Sequence, residues 1–399
     1  MTHSAASKQN LIVSGLVLAA LALLALIYYS PIWWVSLTAP NYPPEAFPDG
    51  VRIQFHMNGV FNGCKKVENV EITEEEALDC VHEMDTINHY VGMYPIAAGG
   101  PVERAYSQFL VAFLGVMLLG FVATSPKLRM TILGVGFGAI FLWMYLTLYT
   151  ENGIALQNQG YIYALVNSLD QDASDKEAGA GDLDAGAALI ARVKESLKAS
   201  GIEVKTSEDE DKKHKLSQDD DKQRLLDSIR DTFEKGQQNQ DPALREQWTG
   251  SAYQVMAWHY GKSLGRYFNN QEEIVPMVKT LKLAINVVFI GISAAMLFLL
   301  IATRRTGNLF YWLLVLVPLA LPLFFVIEYA GWLWWFGHNL NEMGAFTVKP
   351  FMPTVFGQGK VAQFSTHSYP DRGFFLMLLF SVLLGAAALL RRRQLKEHH

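Results

Sequence analysis

The stretch 80–93, CVHEMDTINHYVGM, carries the side chains with the clearest metal-binding spacing. His82, Asp85 and His89 lie at positions i, i+3 and i+7, so a helix would bring them together on one face. Met93 follows at the end of the stretch. Imidazole with thioether suits copper, whereas imidazole with carboxylate suits zinc. We predict a copper site here; the alternative is a helix whose histidines only face solvent or a partner.

Two further histidines lie in the C-terminal stretch 337–373. His338 and His367 each have a methionine within the same stretch, and both are candidate ligands that would join the site if this stretch reached it. Methionine also fills irregular gaps in protein cores, which is the structural alternative for Met57 and Met84. The predicted ligand set is therefore His82, Asp85, His89, Met93, His338 and His367.

The chain has only two cysteines, Cys64 and Cys80. On a helix, Cys80 shares a face with Met84, whereas His82 and Asp85 project from the opposite face. A Cys64–Cys80 disulfide that joins the helix to the preceding loop is the simplest interpretation in an oxidising compartment. The alternative is a thiolate pair that binds copper or zinc, although the Cys-x-x-Cys spacing of such sites is missing.

One acidic residue, Glu328, lies within a long apolar run. Ionisable residues inside a membrane are costly and are usually functional. Pro318 and Pro322 in the same run predict a kink. Together these residues predict a cation or proton path. A glutamate capped by a tyrosine or by Asn286 at a helix interface is the structural alternative.

The composition is that of an integral membrane protein. Of 399 residues 51% are hydrophobic, and the mean hydropathy is +0.15. A bilayer-spanning helix needs about 20 mostly apolar residues in succession. Six runs predict transmembrane helices: 11–35, 106–124, 130–149, 281–303, 309–336 and 374–390. The sequence carries no P-loop, nucleophile elbow, zinc-protease motif or dinucleotide fingerprint, so nothing in it points to an enzyme.

Basic residues near the ends of these runs all fall on one side if the six runs cross the membrane. They are Lys8, Lys127, Arg129, Arg304, Arg305, Arg391, Arg392, Arg393 and Lys396. The positive-inside rule then places both termini, 1–10 and 391–399, in the cytoplasm. The first run is longer than the core of a signal peptide, so we predict a retained anchor. For a bacterial chain this predicts the inner membrane, with the larger segments in the periplasm.

Three segments lie outside the membrane in this topology: 36–105, 150–277 and 337–373. Alternating apolar residues predict strands at 51–60 and 361–370, and a helical pattern covers 72–91. These elements predict a small α+β cap, in which the strands of the first and third segments pair. The acidic stretch 170–222 has too few apolar residues to order itself, so we predict a partly disordered insertion there.

Three motifs are distinctive: 88–93 (NHYVGM), 336–340 (FGHNL) and 350–370, which contains PFMP, GKVAQF and SYP. In these motifs the chain resembles a family of poorly characterised bacterial polytopic membrane proteins. That family accompanies maturation factors of copper enzymes of the nitrous oxide reductase type. The resemblance covers the first and third external segments with their flanking spans, but not 170–235. It implies a role in copper delivery or enzyme maturation, with a copper chaperone or a copper enzyme as partner.

Three functions remain open at this stage. The first is a membrane protein whose cap binds copper or docks a copper chaperone or enzyme. The second is a permease, or a membrane subunit of a transporter, with Glu328 in its path. The third is a scaffold without a ligand. Membrane lipid is an expected partner in all three, and no nucleic acid is expected.

Overall fold

The structure, a computed structural model, describes residues 2–65, 79–178, 210–240, 242, 245–304, 308–361 and 363–397. Eleven α-helices and five β-strands form the regular structure of these residues. The helices are α1 (Thr2–Tyr28), α2 (Cys80–Tyr90), α3 (Pro101–Val122), α4 (Pro126–Tyr149), α5 (Gln159–Ala178), α6 (Glu210–Gln238), α7 (Ala252–Leu264), α8 (Gln271–Ala302), α9 (Leu309–Leu319), α10 (Leu321–His338) and α11 (Arg372–Glu397). The strands are β1 (Trp33–Thr38), β2 (Val51–His56), β3 (Gly59–Asn62), β4 (Gly357–Val361) and β5 (Phe364–Pro370).

Most of the membrane-spanning helices follow the apolar runs. Within the described residues, α1, α3, α4, α8 and α11 are long and apolar enough to cross a membrane. Helices α9 and α10 pass the same test together but are bent by 59° at Ala320, so the count is six if this pair forms one span. Pro318 and Pro322 flank this break. A proline ring clashes with the preceding helical turn, which explains why the helix bends here. The predicted multi-pass membrane protein and its kink are confirmed.

The first apolar run differs from its prediction. Residues 11–35 were predicted to form one span, but α1 ends at Tyr28 and the run continues as strand β1 from Trp33. Pro31 lies between the two elements, where its missing amide hydrogen and fixed φ favour the end of a helix. The last apolar residues of the run therefore belong to a sheet and not to a transmembrane helix.

The five strands form one antiparallel sheet in the order β3-β2-β1-β5-β4. The predicted strands at 51–60 and 361–370 are both present, the first of them as the hairpin β2–β3. They do not pair directly, since β1 lies between them; Val35 is opposite Ile53 on one side and Ser368 on the other. Trp33 on β1 donates a hydrogen bond from Nε1 to the Ser368 hydroxyl at 2.8 Å. The small α+β cap is thus centred on β1.

Helix α2 packs on this sheet. Asp79 caps its N-terminus by accepting hydrogen bonds from the amides of Val81 and His82. Cys80 and Met84 are buried in one cluster with Leu37, Val51 and Ile53 of the sheet. Cys80 lies at disulfide-bonding distance from Cys64, with the two Cα atoms 6.1 Å apart, as predicted. The first part of the predicted helix, 72–78, lies outside the described residues.

Residues Asn158–Gly250 form a separate compact unit. Its described elements are α5 and α6, which pack against each other. Ile229 and Phe233 of α6 are fully buried, and Phe233 contacts Trp248 with ring centroids 5.3 Å apart. The structure gives helix at 170–178 and 210–222, where disorder was predicted, because both stretches continue the amphipathic helices beside them. Residues 179–209 lie outside the described part.

Two buried arginines close the end of the helical bundle that lies away from the sheet. The Arg129 guanidinium is fully buried and donates to the carbonyls of Gly120, Ala123 and Thr303 at 3.0–3.3 Å. Arg391 donates to the Val122 carbonyl at 3.0 Å. The last carbonyls of a helix have no partner within the helix itself. Side chains from α4 and α11 therefore complete the C-terminus of α3.

Candidate functional site

A cavity of about 1060 Å³ lies between the sheet, α2 and the helical bundle; we call it the chamber. Apolar side chains form most of its surface. From the sheet and α2 these include Val35, Leu37, Ile53, Phe55, Val60, Met84, Ile87 and Val91. From α3 and α10 they include Leu110, Leu321, Phe324, Phe325, Trp332, Leu333 and Phe336. The cap and the membrane-spanning helices therefore enclose one continuous apolar space.

Two carboxylates converge within this apolar surface. A Cβ atom on Gly100 would lie 3.8 Å from Oε2 of Glu103 and 3.9 Å from Oε1 of Glu328, so both acids face the same glycine. Gly100 has a φ of 57°, which suits a residue without a side chain, and it precedes Pro101 at the start of α3. The Trp332 indole donates to Oε1 of Glu103 at 3.3 Å. These residues form an acidic centre in the chamber wall.

The second oxygen of Glu103 differs from the first. Oε2 is buried and accepts no hydrogen bond from any described residue. A buried polar atom without a partner costs free energy comparable to a lost hydrogen bond, and more if it is charged. This oxygen therefore marks a position in the chamber where a ligand with a hydrogen-bond donor would be stabilised.

A positive charge accompanies the two acids. Arg104 follows Glu103 on α3, lines the chamber and interacts electrostatically with Glu328. Its guanidinium donates to the carbonyls of Ala97 at 2.6 Å and Gly100 at 3.2 Å, which holds it close to the start of the helix. The polar part of the chamber thus combines two acidic side chains, Glu103 and Glu328, with the guanidinium of Arg104.

In the structure Asn286 is hydrogen-bonded to Tyr149 and not to Glu328. Asn286, which was considered as the cap of Glu328, accepts a hydrogen bond from the Tyr149 hydroxyl at 2.7 Å. The neighbouring Tyr329 hydroxyl lies 3.2 Å from the Ser368 hydroxyl. The break before α10 sets the direction of this helix, so Glu328 projects into the chamber beside Trp332.

The surroundings of Asp85 differ from those expected for the predicted metal site. This residue was placed on an accessible helix face with His82 and His89, but only 1% of its surface is exposed. Its carboxylate forms an ion pair with Arg266 at 3.3 Å and accepts a hydrogen bond from the Ile96 amide at 2.7 Å. The predicted helical periodicity is correct. However, both faces of α2 are covered: one packs on the sheet, and the opposite face packs against the loop that follows α7.

The predicted histidines lie in different surroundings. His89 stacks on Tyr267 with ring centroids 4.5 Å apart, and His338 stacks on Trp334 at 4.6 Å. His367 lies on β5, opposite Ser36 of β1. Among the residues that the structure describes, no group of three or more histidine, cysteine, aspartate or glutamate side chains could hold a metal ion. The five predicted ligands of these types, His82, Asp85, His89, His338 and His367, therefore do not form such a group in the described part of the chain.

Methionines are frequent on the chamber surface instead. Five of the thirteen in the chain line it: Met57, Met84, Met93, Met352 and Met377. Met93, one of the predicted ligands, is 8% exposed and is thus directed inward. Methionine side chains adapt to irregular apolar ligands, and their thioethers are also ligands for copper(I).

His56 also lines the chamber, near the hairpin β2–β3. Burial lowers the pKa of its imidazole to about 4, and the positive charge of Arg372 acts in the same direction. His56 is consequently neutral near pH 7. It adds a polar but uncharged group to the chamber.

Glu103 and Arg104 were missed by the sequence interpretation. The predicted second span began at 106, whereas α3 begins at Pro101, so both residues were assigned to the external segment. The signal was present in Gly99-Gly100-Pro101, a glycine before an N1 proline, followed by an acid in the first turn.

Comparison of the chain with protein-family models, curated proteins and solved structures finds no match.

Proposed function

We propose that this membrane protein binds an amphipathic, lipid-like molecule in the chamber. The observation that carries the proposal is the combination of a large apolar cavity with one acidic centre, Glu103 and Glu328, in its wall. Ligand sites are mostly apolar, with a few polar groups that orient the ligand, and their volumes are typically about 300–1,000 Å³. The chamber, at about 1060 Å³, is slightly larger than this range, which favours a molecule with a long apolar part.

The orientation of the chain supports the same proposal. The basic residues Lys127, Arg129 and Arg391 belong to the end of the bundle away from the sheet. Under the positive-inside rule that end is cytoplasmic, and the sheet lies on the outer side, where the cysteine pair would be oxidised. A cysteine introduced as Glu342→Cys should then react with a membrane-impermeant maleimide in intact cells, and one introduced as Lys127→Cys should not.

The test is to fill the chamber. Leu333 lines it from α10, whereas Ile327 on the same helix is 60% exposed and does not line it. We expect native mass spectrometry of the wild-type protein, released from lipid nanodiscs, to show a retained lipid. Leu333→Trp should lose this lipid because the indole occupies its space, while Ile327→Trp should keep it. Equal retention in all three proteins would reject the proposal.

Copper binding, with delivery or enzyme maturation as its purpose, is a second proposal. The five methionines around the chamber favour it, as does the resemblance of the motifs at 88–93 and 350–370. Copper(I) content after reductive loading should fall in Met93→Leu, whereas Met343→Leu should have no effect. Met343 is 62% exposed and does not line the chamber. No stoichiometric copper in the wild type would end this proposal.

A permease function would use the same chamber. The break at Ala320 and the position of Glu328 are the features that support it. Glu328→Gln should then abolish transport in vesicles, and unchanged flux of a candidate substrate would argue against it. If no transport is found, the chamber would be a ligand-binding site and not part of a transport path.

A further inference from the structure

We infer that the ligand is a bilayer phospholipid whose headgroup carries a primary ammonium, as in phosphatidylethanolamine, and that it enters the chamber sideways from the membrane. This inference rests on the proposed function and names the substrate class of the same site. The evidence comes from the charges at the acidic centre, the exposed side chains at the edge of the chamber and the course of α10.

The acidic centre selects the chemistry of the headgroup. Oε2 of Glu103 is buried without a hydrogen-bond donor among the described residues, and the carboxylate of Glu328 faces the same glycine. A primary ammonium carries three N–H donors, so it would neutralise the charge and also supply the missing hydrogen bond. A quaternary ammonium, as in choline, brings the charge without any donor. A headgroup that carries only negative charge would be repelled.

The positive charge of Arg104 makes the acidic centre complementary to a zwitterionic headgroup. Arg104 lies next to Glu103 in the chain and interacts with Glu328, so negative and positive side chains share one small region. The headgroup of phosphatidylethanolamine has the same arrangement, with one ammonium and one phosphate separated by two carbons. The phosphate would lie toward Arg104 and the ammonium toward the two acids.

The exposed apolar residues at the edge of the chamber indicate where a lipid enters. Four large apolar residues line the chamber and are also exposed: Tyr90, Phe324, Phe346 and Met352; we call them the rim. Phe324 is 53% exposed on the membrane-spanning part of α10, so this part of the rim faces the acyl chains of the bilayer. Phe346 is held to Tyr90 by a hydrogen bond from its amide to the Tyr90 carbonyl at 2.9 Å.

The bend between α9 and α10 explains the opening. Helix α9 packs against α3 and α11, whereas α10 turns away by 59° and packs chiefly against α11. Helix α10 meets the first turn of α3 again where the Trp332 indole donates to Glu103 at 3.3 Å, so the space between these two walls of the chamber lies between that contact and the bend. A molecule already in the bilayer reaches the acidic centre between them without crossing water, and the apolar surface of the sheet receives one of its chains.

The experiment uses nanodiscs with equal amounts of phosphatidylethanolamine, phosphatidylglycerol and phosphatidylcholine. Lipid retained by the full-length protein is identified by native mass spectrometry. The wild type should retain phosphatidylethanolamine over the other two by about tenfold, the effect of one charge-assisted hydrogen bond. Glu103→Gln and Glu328→Gln should each lower this preference while total retention persists. Glu342→Gln, an exposed acid that does not line the chamber, is the matched control.

The outcomes separate the two proposals. If lipid is retained and Leu333→Trp removes it, but the three headgroups bind equally, the headgroup assignment is wrong and the chamber function stands. Retention of phosphatidylcholine as strong as that of phosphatidylethanolamine has the same meaning. If no lipid depends on Leu333, both proposals fail. Two separate acid variants are included so that a folding defect in one does not decide the result.

Discussion

Asp85 and Arg266 form an ion pair in which neither side chain is exposed by more than 2%. The pair joins α2, which covers the sheet, to the loop that follows α7, although 181 residues separate the two in sequence. Removing one partner of a buried pair leaves an uncompensated charge. We therefore expect Asp85→Asn to destabilise the protein by about 3–5 kcal/mol, measured as a lower unfolding temperature in detergent.

Two further variants test the reason for this loss. Adding Arg266→Met to Asp85→Asn removes the remaining charge, so the double variant should be more stable than the single one. Glu234→Gln breaks the exposed pair between Glu234 and Arg230 and should have no measurable effect. A double variant that is no more stable than Asp85→Asn would contradict the electrostatic explanation.

The Cys64–Cys80 link provides a second prediction. It closes a loop with a sequence separation of 16, and a loop of this length is expected to contribute about 3 kcal/mol by restricting the unfolded chain. The double variant Cys64→Ser, Cys80→Ser should unfold at a lower temperature than the oxidised wild type. Reductant should lower the unfolding temperature of the wild type only; an equal effect on both proteins would show that the link is not formed.

Arg129 provides a third prediction, at the other end of the bundle. Its fully buried guanidinium donates to the carbonyls of Gly120, Ala123 and Thr303, at the C-terminal ends of α3 and α8. Arg129→Met should lower stability by at least about 3 kcal/mol, since hydrogen bonds to a charged group contribute about 1.5–3 kcal/mol each. Lys127, two residues earlier and exposed, is the control. A Lys127→Met variant as unstable as Arg129→Met would mean that charge alone matters.

His56 provides a prediction about pH. Its folded-state pKa of about 4 lies below the ordinary value of 6.5, so between these values the unfolded chain binds the extra proton. Stability should therefore rise with pH from about 4 to about 6.5 and then level off. His56→Gln should show a shallower rise than the wild type when unfolding is followed across this range. Parallel curves for the two proteins would exclude a contribution from this imidazole.

Several features of the fold follow from the sequence by simple physical rules. Long apolar runs mark the spans, Pro318 and Pro322 mark the break, and alternation marks the strand that begins at Val51. The pairing of Cys64 with Cys80 also follows, because the chain has no other cysteine. Each of these features depends on local pattern or on composition.

Features that depend on distant contacts were not predicted. A helical wheel separates Asp85 from Cys80 correctly, but it does not say that Arg266 will cover the second face of α2. Trp33 is apolar enough for a transmembrane helix, and it becomes part of a strand because β2 and β5 are available as partners. The sequence also did not predict that Glu103 lies beside Glu328. The two residues are far apart in the chain, and only the fold brings both of them next to Gly100.

The central position of β1 has a consequence for how the protein is made. This strand leaves the ribosome directly after α1, and its neighbour β2 follows soon afterwards. Its other neighbour, β5, is synthesised only just before the last helix, more than 300 residues later. Until then one edge of β1 stays open, and unpaired edges invite wrong pairing. The five-stranded sheet can therefore be completed only after β5 has been synthesised, and until then the nascent chain depends on whatever shields this edge of β1.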